Sequence, residues 1–121
     1  MNNRTRTVLI VDDDPQILRL VEKMLRPRSV KILLAPRPSE ALAICQSEPV
    51  DLLISDLAMP EMDGTRLAER VLKLHPDAAV LLISGHFKDP PAAAKSAQMR
   101  FLRKPFFPSQ LMEQLRELLP G

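Results

Sequence analysis

The apolar residues of the chain fall into short continuous runs separated by stretches of mixed polarity. The runs occupy residues 8–11, 30–34, 52–54, 80–83 and 101–102. Continuous rather than alternating apolar residues are typical of strands that are covered on both faces. Four other stretches repeat apolar residues three or four positions apart, such as Leu67, Val71 and Leu74, which indicates helices packed on a core. The pattern predicts an α/β fold with a doubly wound parallel sheet and helices on both faces.

The twelve prolines fall mostly in the predicted connections between strands and helices. Pro15 fits the first turn of the first helix, with Asp14 as its N-cap. Pro108 fits less well, because the last helix has no obvious polar N-cap before it. Ser109, one residue later, is the candidate N-cap of that helix.

Length, charge and cysteine content narrow the class of protein. We expect residues 1–121 to form a single domain, because a chain of 121 residues is about one domain long. Seventeen basic and 15 acidic side chains leave a net charge of +2, which gives no reason to expect direct binding to nucleic acid or to a membrane. The single cysteine, Cys45, lies on the apolar stripe of the second helix and is predicted to be in the core. Without an internal disulfide, signal peptide or long apolar run, a cytoplasmic location is expected.

Three acidic residues follow the first apolar run directly. Asp12, Asp13 and Asp14 repel one another, and partial burial at the end of a strand adds to the cost of their charge. Asp14 is explained as a helix cap, but the first two carboxylates indicate that a cation binds at this point.

Polar residues also follow the other predicted strands. Because ligands of such sheets bind at the carboxyl ends of the strands, these residues are candidates for one site. Three carboxylates suit Mg²⁺, and a lysine with a nearby hydroxyl can hold anionic oxygens. The candidate residues are Asp12, Asp13, Asp56, Ser84, Gly85 and Lys104.

Four sequence motifs strengthen this interpretation. VDDDP at 11–15, SDLAMPEMDG at 55–64, ISGH at 83–86 and RFLRKPF at 100–106 resemble, in order and spacing, the receiver domain of bacterial two-component response regulators. The resemblance covers about residues 7–119. It implies a flavodoxin-like, five-stranded parallel sheet of order 2-1-3-4-5.

The resemblance also implies the chemistry of the site. Asp56 would be the nucleophile that takes a phosphoryl group from a phosphohistidine on a sensor kinase or a histidine phosphotransfer protein. Mg²⁺ or Mn²⁺ would be held by Asp12, Asp13, Asp56 and the main-chain carbonyl of Ala58. The phosphoryl oxygens would contact Ser84 and Lys104, with close backbone approach at Gly85. Such a domain is a phosphoacceptor with slow autodephosphorylation rather than an ordinary enzyme.

Further expectations concern the switch and its partners. Ser84 and the ring of Phe101 would move together on phosphorylation, the Lys104–Pro105 peptide would be cis, and His86 is a candidate for tuning the phosphoryl lifetime. The switch would act on a downstream effector protein, an output domain outside this chain, or a second copy in a homodimer.

Two alternative functions remain open at this point. Residues 12–14 also fit the D-x-D spacing of haloacid dehalogenase-like phosphatases, with Asp12 as nucleophile. Such enzymes usually have a longer chain with a cap, and Asp56 would then be unexplained. A pseudo-receiver that binds partners without phosphorylation is the other alternative, although all the expected site residues are present.

The segment before the last strand departs from the receiver pattern. Only 20 positions separate Ser84 from Lys104, and Pro90 and Pro91 prevent a helix from starting earlier. We therefore expect a short, weakly held fourth helix at residues 92–98 after a mobile loop at 86–91. The surrounding residues favour a partner with an acidic face: they are Lys88, Lys95, Arg100 and Arg103, against the single acid Asp89.

Overall fold

The computed structural model describes residues 5–85 and 98–119. The strands in this part of the chain are β1 (Arg6–Val11), β2 (Val30–Ala35), β3 (Leu52–Asp56), β4 (Ala79–Ser84) and β5 (Met99–Arg103). The helices are α1 (Pro15–Leu25), α2 (Pro38–Ser47), α3 (Gly64–Leu74) and α4 (Pro108–Leu118). The predicted loop at 86–91 and residues 92–97 of the predicted short helix lie outside the described residues, so α4 corresponds to the last predicted helix.

The five strands form one parallel sheet in the order β2-β1-β3-β4-β5. β1 lies between two partners, so that Val8 is paired with Ile32 of β2 on one side and with Leu52 of β3 on the other. The predicted α/β fold and its strand order are therefore confirmed.

Alternate residues of β1 pack on opposite faces of the sheet, as a strand's two-residue period requires. Leu9 and Val11 belong to a buried cluster on the face covered by α2 and α3. Val8 and Ile10 belong to a second cluster on the face covered by α1 and α4. The predicted core position of Cys45 is confirmed, since it is 3% exposed within the first cluster. Both sheet faces are therefore covered, which explains why the strands are continuously apolar.

The cap of the first helix agrees with the sequence prediction, and the cap of the last helix differs from it. Asp14 caps α1, its carboxylate accepting a hydrogen bond from the Gln16 amide at 2.9 Å. The prediction for the last helix was wrong, because α4 begins at Pro108 rather than after Ser109. The amide of Phe107 donates instead to the side-chain oxygen of Gln110 at 2.7 Å. Gln110, inside the first turn, thus satisfies the main-chain amide of the N-cap residue, while the Gln110 amide donates to the main-chain carbonyl of Phe107 at 2.9 Å.

Within the described ranges, no helix has the length and apolar character needed to cross a membrane.

Candidate functional site

The carboxyl ends of the central strands border an open cleft of about 740 Å³. The residues that line the cleft include Asp12, Asp13, Asp56, Ala58, Gly85 and Lys104. The apolar side chains in the lining are Ile17 and Leu20 of α1 with Pro105 and Phe106 after β5. The sheet therefore gathers residues from four strand ends at one place.

Three carboxylates face one another in this cleft. Asp12 and Asp13 follow β1, Asp56 ends the adjacent strand β3, and one oxygen from each lies within 4.8 Å of the other two. Asp12 is 2% exposed and Asp56 is 9% exposed, whereas Asp13 is exposed to solvent. Three carboxylate oxygens at such spacing fit the oxygen ligands that hard divalent cations prefer. The residues present therefore fit a metal ion.

Lys104 supplies the positive charge in the lining of the cleft. Its Nζ lies 3.5 Å from Oδ2 of Asp12 and 3.8 Å from Oδ1 of Asp56. Its main-chain amide donates to the Ser84 carbonyl at 2.9 Å, which joins the end of β5 to the end of β4. The Lys104–Pro105 peptide is cis, the geometry that the resemblance implies. The lysine thus reaches two buried carboxylates from the far edge of the sheet.

Burial strongly affects the ionisation of the two inner carboxylates. Desolvation raises the pKa of Asp12 from 3.8 to about 6, against the lowering effects of the Asp14 amide and of Lys104. Desolvation also raises the pKa of Asp56, while Lys104 and the amides of Ala58 and Leu57 oppose the rise. One lysine therefore compensates these carboxylates only in part, and a bound cation would favour their charged forms.

The loop after β3 passes close to Asp56. The Leu57 amide donates to the Ile83 carbonyl at 2.8 Å, and the Gly64 amide donates to the Leu57 carbonyl at 2.7 Å. A Cβ atom at Gly64 would clash with the carbonyl oxygen of Asp56 and would lie 3.0 Å from Cα of Leu57. Only glycine allows this close approach, so Gly64 fixes the path of the chain beside the carboxylate.

The remaining predicted site residues lie along β4 and β5. Ser84 is fully buried at the end of β4, and a Cβ atom at Gly85 would meet Cβ of Lys104 at 3.4 Å. Phe101 is half-buried opposite Leu82, and the guanidinium carbon of Arg103 lies 6.0 Å from its ring centroid. His86 lies outside the described residues.

Sequence reasoning did not assign the apolar side chains of the cleft to the site. Ile17 was predicted only as part of the core stripe of α1, although it is half-buried and borders the cleft. Its position in the first turn of α1, three residues after the end of the acidic run, was the available signal. Phe106 closes the motif RFLRKPF, but nothing in the sequence placed it in the same cleft as residues of α1.

The sheet order and the carboxylate cluster together define a flavodoxin-like α/β protein with its site at the carboxyl ends of the strands. The family model of the response regulator receiver domain matches residues 8–116. The chain therefore belongs to the receiver domain family, and its acidic site fits the role of a phosphoacceptor.

Individual relatives agree with this assignment. The chain is 34% identical to the transcriptional regulatory protein GlrR of Escherichia coli (strain K12), with 98% of this chain and 27% of the relative aligned. It is 30% identical to the response regulator receiver protein CpdR of Brucella abortus (strain 2308), over 94% of this chain and 97% of the relative. This chain therefore spans nearly the whole of CpdR. It spans only about a quarter of the length of the first curated relatives it matches, which include GlrR.

A solved structure extends the likeness to three dimensions. The receiver domain of the hybrid histidine kinase CckA superposes with a TM-score of 0.79 at 30% identity, covering 93% of this chain and 98% of that one.

A receiver domain is not an enzyme in the ordinary sense. The phosphatase alternative based on Asp12 gains no support from these relatives.

Proposed function

We propose that this receiver domain accepts a phosphoryl group on Asp56 from a phosphohistidine of a sensor kinase or a histidine phosphotransfer protein. The observation that carries the proposal is the position of the Asp56 carboxylate at the end of β3. One of its oxygens lies 3.8 Å from Nζ of Lys104, and the carboxylate faces those of Asp12 and Asp13. A nucleophilic carboxylate and a cationic partner at the mouth of a cleft suit attack on a phosphoryl group.

The transfer can be written for the residues of this chain. An oxygen of ionised Asp56 forms a bond to phosphorus while the P–N bond of the phosphohistidine breaks. The electron pair of that bond returns to the imidazole ring, which takes up a proton. Lys104 pairs with a phosphoryl oxygen, and the Ser84 hydroxyl hydrogen-bonds another, with Gly85 allowing the backbone to approach.

The donor set favours Mg²⁺ or Mn²⁺ as the metal. Asp12, Asp13, Asp56 and the carbonyl of Ala58 would hold it, and the bound ion would neutralise charge on the phosphoryl oxygens. The chain's own residues do the rest of the work: burial keeps bulk water from the inner carboxylates, and Lys104 orients the group.

The consequences of phosphorylation are part of the same proposal. Ser84 and Phe101 would change position together, altering the partner-binding surface, and slow autodephosphorylation would reset the domain. The relatives are response regulators and the receiver of a kinase, which implies kinase and effector partners. We propose that residues 1–121 form one domain in the cytoplasm that acts on an effector, an output domain or a second copy.

Intact mass after incubation with acetyl phosphate and Mg²⁺ tests the proposal. The wild-type chain should gain one phosphoryl group, and Asp56→Asn should gain none. Asp63→Asn is the matched control, because Asp63 caps α3 in the same loop and asparagine is an equally good cap. Retention of the gain in Asp56→Asn, or its loss only in Asp12→Asn, would favour a phosphatase that uses Asp12.

A further inference from the structure

The first turn of α2 receives its cap from another part of the chain. Its N-cap residue, Arg37, makes no side-chain capping hydrogen bond, and Pro38 has no amide hydrogen to donate. The first available amide, that of Ser39, donates to Oε1 of Glu61 at 3.0 Å. The Ser39 hydroxyl bonds Oε2 of the same carboxylate at 3.3 Å. Both oxygens of Glu61 are therefore used at the start of α2.

Glu61 lies in the loop that follows the phosphoacceptor strand. Both ends of this loop are fixed by main-chain hydrogen bonds, from Leu57 to Ile83 and from Gly64 to Leu57. Glu61 adds a contact near the middle of the loop, three residues after Ala58. It therefore restrains the stretch that carries the proposed main-chain metal ligand.

The contact bridges a gap between two loops. A pocket of about 320 Å³ separates the β2–α2 connection from the β3–α3 loop, and Asp13 lies on its wall together with Arg37, Met59 and Glu61. Because the two loops do not pack tightly here, the Glu61 carboxylate sets their separation. Asp13 on the same wall links this pocket to the carboxylate cluster.

We propose that Glu61 is a positioning residue for the metal site, acting through its cap on α2 to hold the Ala58 carbonyl in place relative to Asp56 and Asp13. The inference rests on the proposed function, since it assigns Glu61 a role at that same site. Glu61 itself does not bind the metal in this proposal. Its contribution is the position of the loop.

If Glu61 acted only through its charge, its variants would behave differently from those that this proposal predicts. Glu40 also carries a negative charge in the first turn of α2, but it pairs with Arg37 at 3.6 Å instead of Ser39. Glu40→Ala therefore removes the same charge from the same helix end without releasing the loop. Glu61→Gln removes the charge but keeps a side-chain oxygen that can accept from the Ser39 amide.

Magnesium titration followed by amide NMR shifts tests the proposal. We expect Glu61→Ala to weaken Mg²⁺ binding roughly three- to tenfold, less than the full effect of a charge-assisted hydrogen bond, because the Ser39–Glu61 contact is exposed and acts on the metal site only through the loop. Glu61→Gln should recover part of this loss, and Glu40→Ala should bind as the wild type does. In metal-free protein, the Ser39 amide should exchange with solvent faster in Glu61→Ala than in Glu40→Ala.

The outcomes separate this inference from the proposed function. If the wild-type chain binds no Mg²⁺, the proposed function and the role of Glu61 both fail. If the wild type binds Mg²⁺ and Glu61→Ala binds it equally well, only the role of Glu61 is overturned. Equal weakening in Glu61→Gln and Glu61→Ala, or in Glu40→Ala, would overturn it in favour of a charge effect.

Discussion

Replacing Asp12 with asparagine should stabilise the metal-free protein at neutral pH. Asp12 is 2% exposed, and its pKa is raised from 3.8 to about 6, mainly by desolvation. At neutral pH the folded protein must therefore carry a buried negative charge that the unfolded chain keeps in water. Asparagine has nearly the same shape without the charge, and its oxygen can still accept from the Asp14 amide, now bonded to Asp12 at 2.9 Å.

The direction of the pH dependence follows from the two pKa values. Between 3.8 and about 6 the folded state holds the Asp12 proton more tightly than the unfolded state, so stability falls as the pH rises through this window. Each tenfold change in proton affinity is worth about 1.4 kcal/mol, which gives about 3 kcal/mol for the full change. Allowing for altered contacts of Lys104, we expect Asp12→Asn to gain about 1–3 kcal/mol at neutral pH.

Chemical unfolding monitored by far-UV circular dichroism measures this effect, because the chain has neither tryptophan nor tyrosine to report by fluorescence. The denaturant concentrations at the unfolding midpoints of the wild type and Asp12→Asn should be nearly equal at about pH 4. At about pH 7.5 the midpoint of Asp12→Asn should be the higher of the two. Added Mg²⁺ should stabilise the wild type more than the variant. Asp14→Asn is the control, because Asp14 is exposed and asparagine also caps α1. A wild type at least as stable as Asp12→Asn at neutral pH would refute the reasoning.

Two further predictions test the surroundings of the site. Gly64→Ala should cost about 1–3 kcal/mol of stability, since the added Cβ would clash with main-chain atoms of Asp56. In thermal unfolding, Gly85→Ala should cost less, because its Cβ would meet Lys104 at an ordinary 3.4 Å, and equal midpoints for the two variants would contradict the argument. For the cation–π pair, a double-mutant cycle with Arg103→Ala and Phe101→Leu should give a coupling energy of about 0.5–1 kcal/mol in urea unfolding. A coupling near zero would show that the guanidinium does not hold the ring.

The sheet was predictable because each strand is buried on both faces. Residues 8–11 are continuously apolar, and β1 indeed contains them, but it begins two residues earlier at Arg6. The ladder pairs Arg6 with Val30 through main-chain atoms, and these do not depend on the side chain. Apolar runs therefore identify strands but underestimate their length.

Helix faces and helix ends were less predictable. Leu74 continues the apolar stripe of α3 but is 47% exposed, because it is the last residue of the helix and lies beyond the core. The first turn of α2 is capped by Glu61, and at α4 the side chain of Gln110 accepts from the amide of the N-cap residue, Phe107. A cap supplied from another loop, 22 residues away, leaves no local signal in the sequence.

The residues that form the site could be predicted from the strand topology, but the burial and charge environment of each carboxylate could not. Parallel pairing of β1 and β3 brings Asp12, Asp13 and Asp56 together at the carboxyl ends of the strands, whatever the orientation of each side chain. Neighbouring carboxylates nevertheless differ in burial, since Asp12 is almost fully buried and Asp13 is exposed. That difference depends on which way each side chain leaves the end of β1, and the spacing of the residues does not encode it.

The pairing of Lys104 with Asp12 makes the site depend on the assembly of four of the five strands, from β1 to β5. The two residues are 92 positions apart, and β3 and β4 lie between the strands that they follow. Closing so long a segment carries an entropic cost that is recovered only when all the intervening strands have paired. A chain that has not yet docked β5 has the carboxylates but not the lysine. If Asp56 takes the phosphoryl group as proposed, the fraction of molecules phosphorylated in a refolding time course should therefore follow the docking of β5 rather than the pairing of β1 with β3.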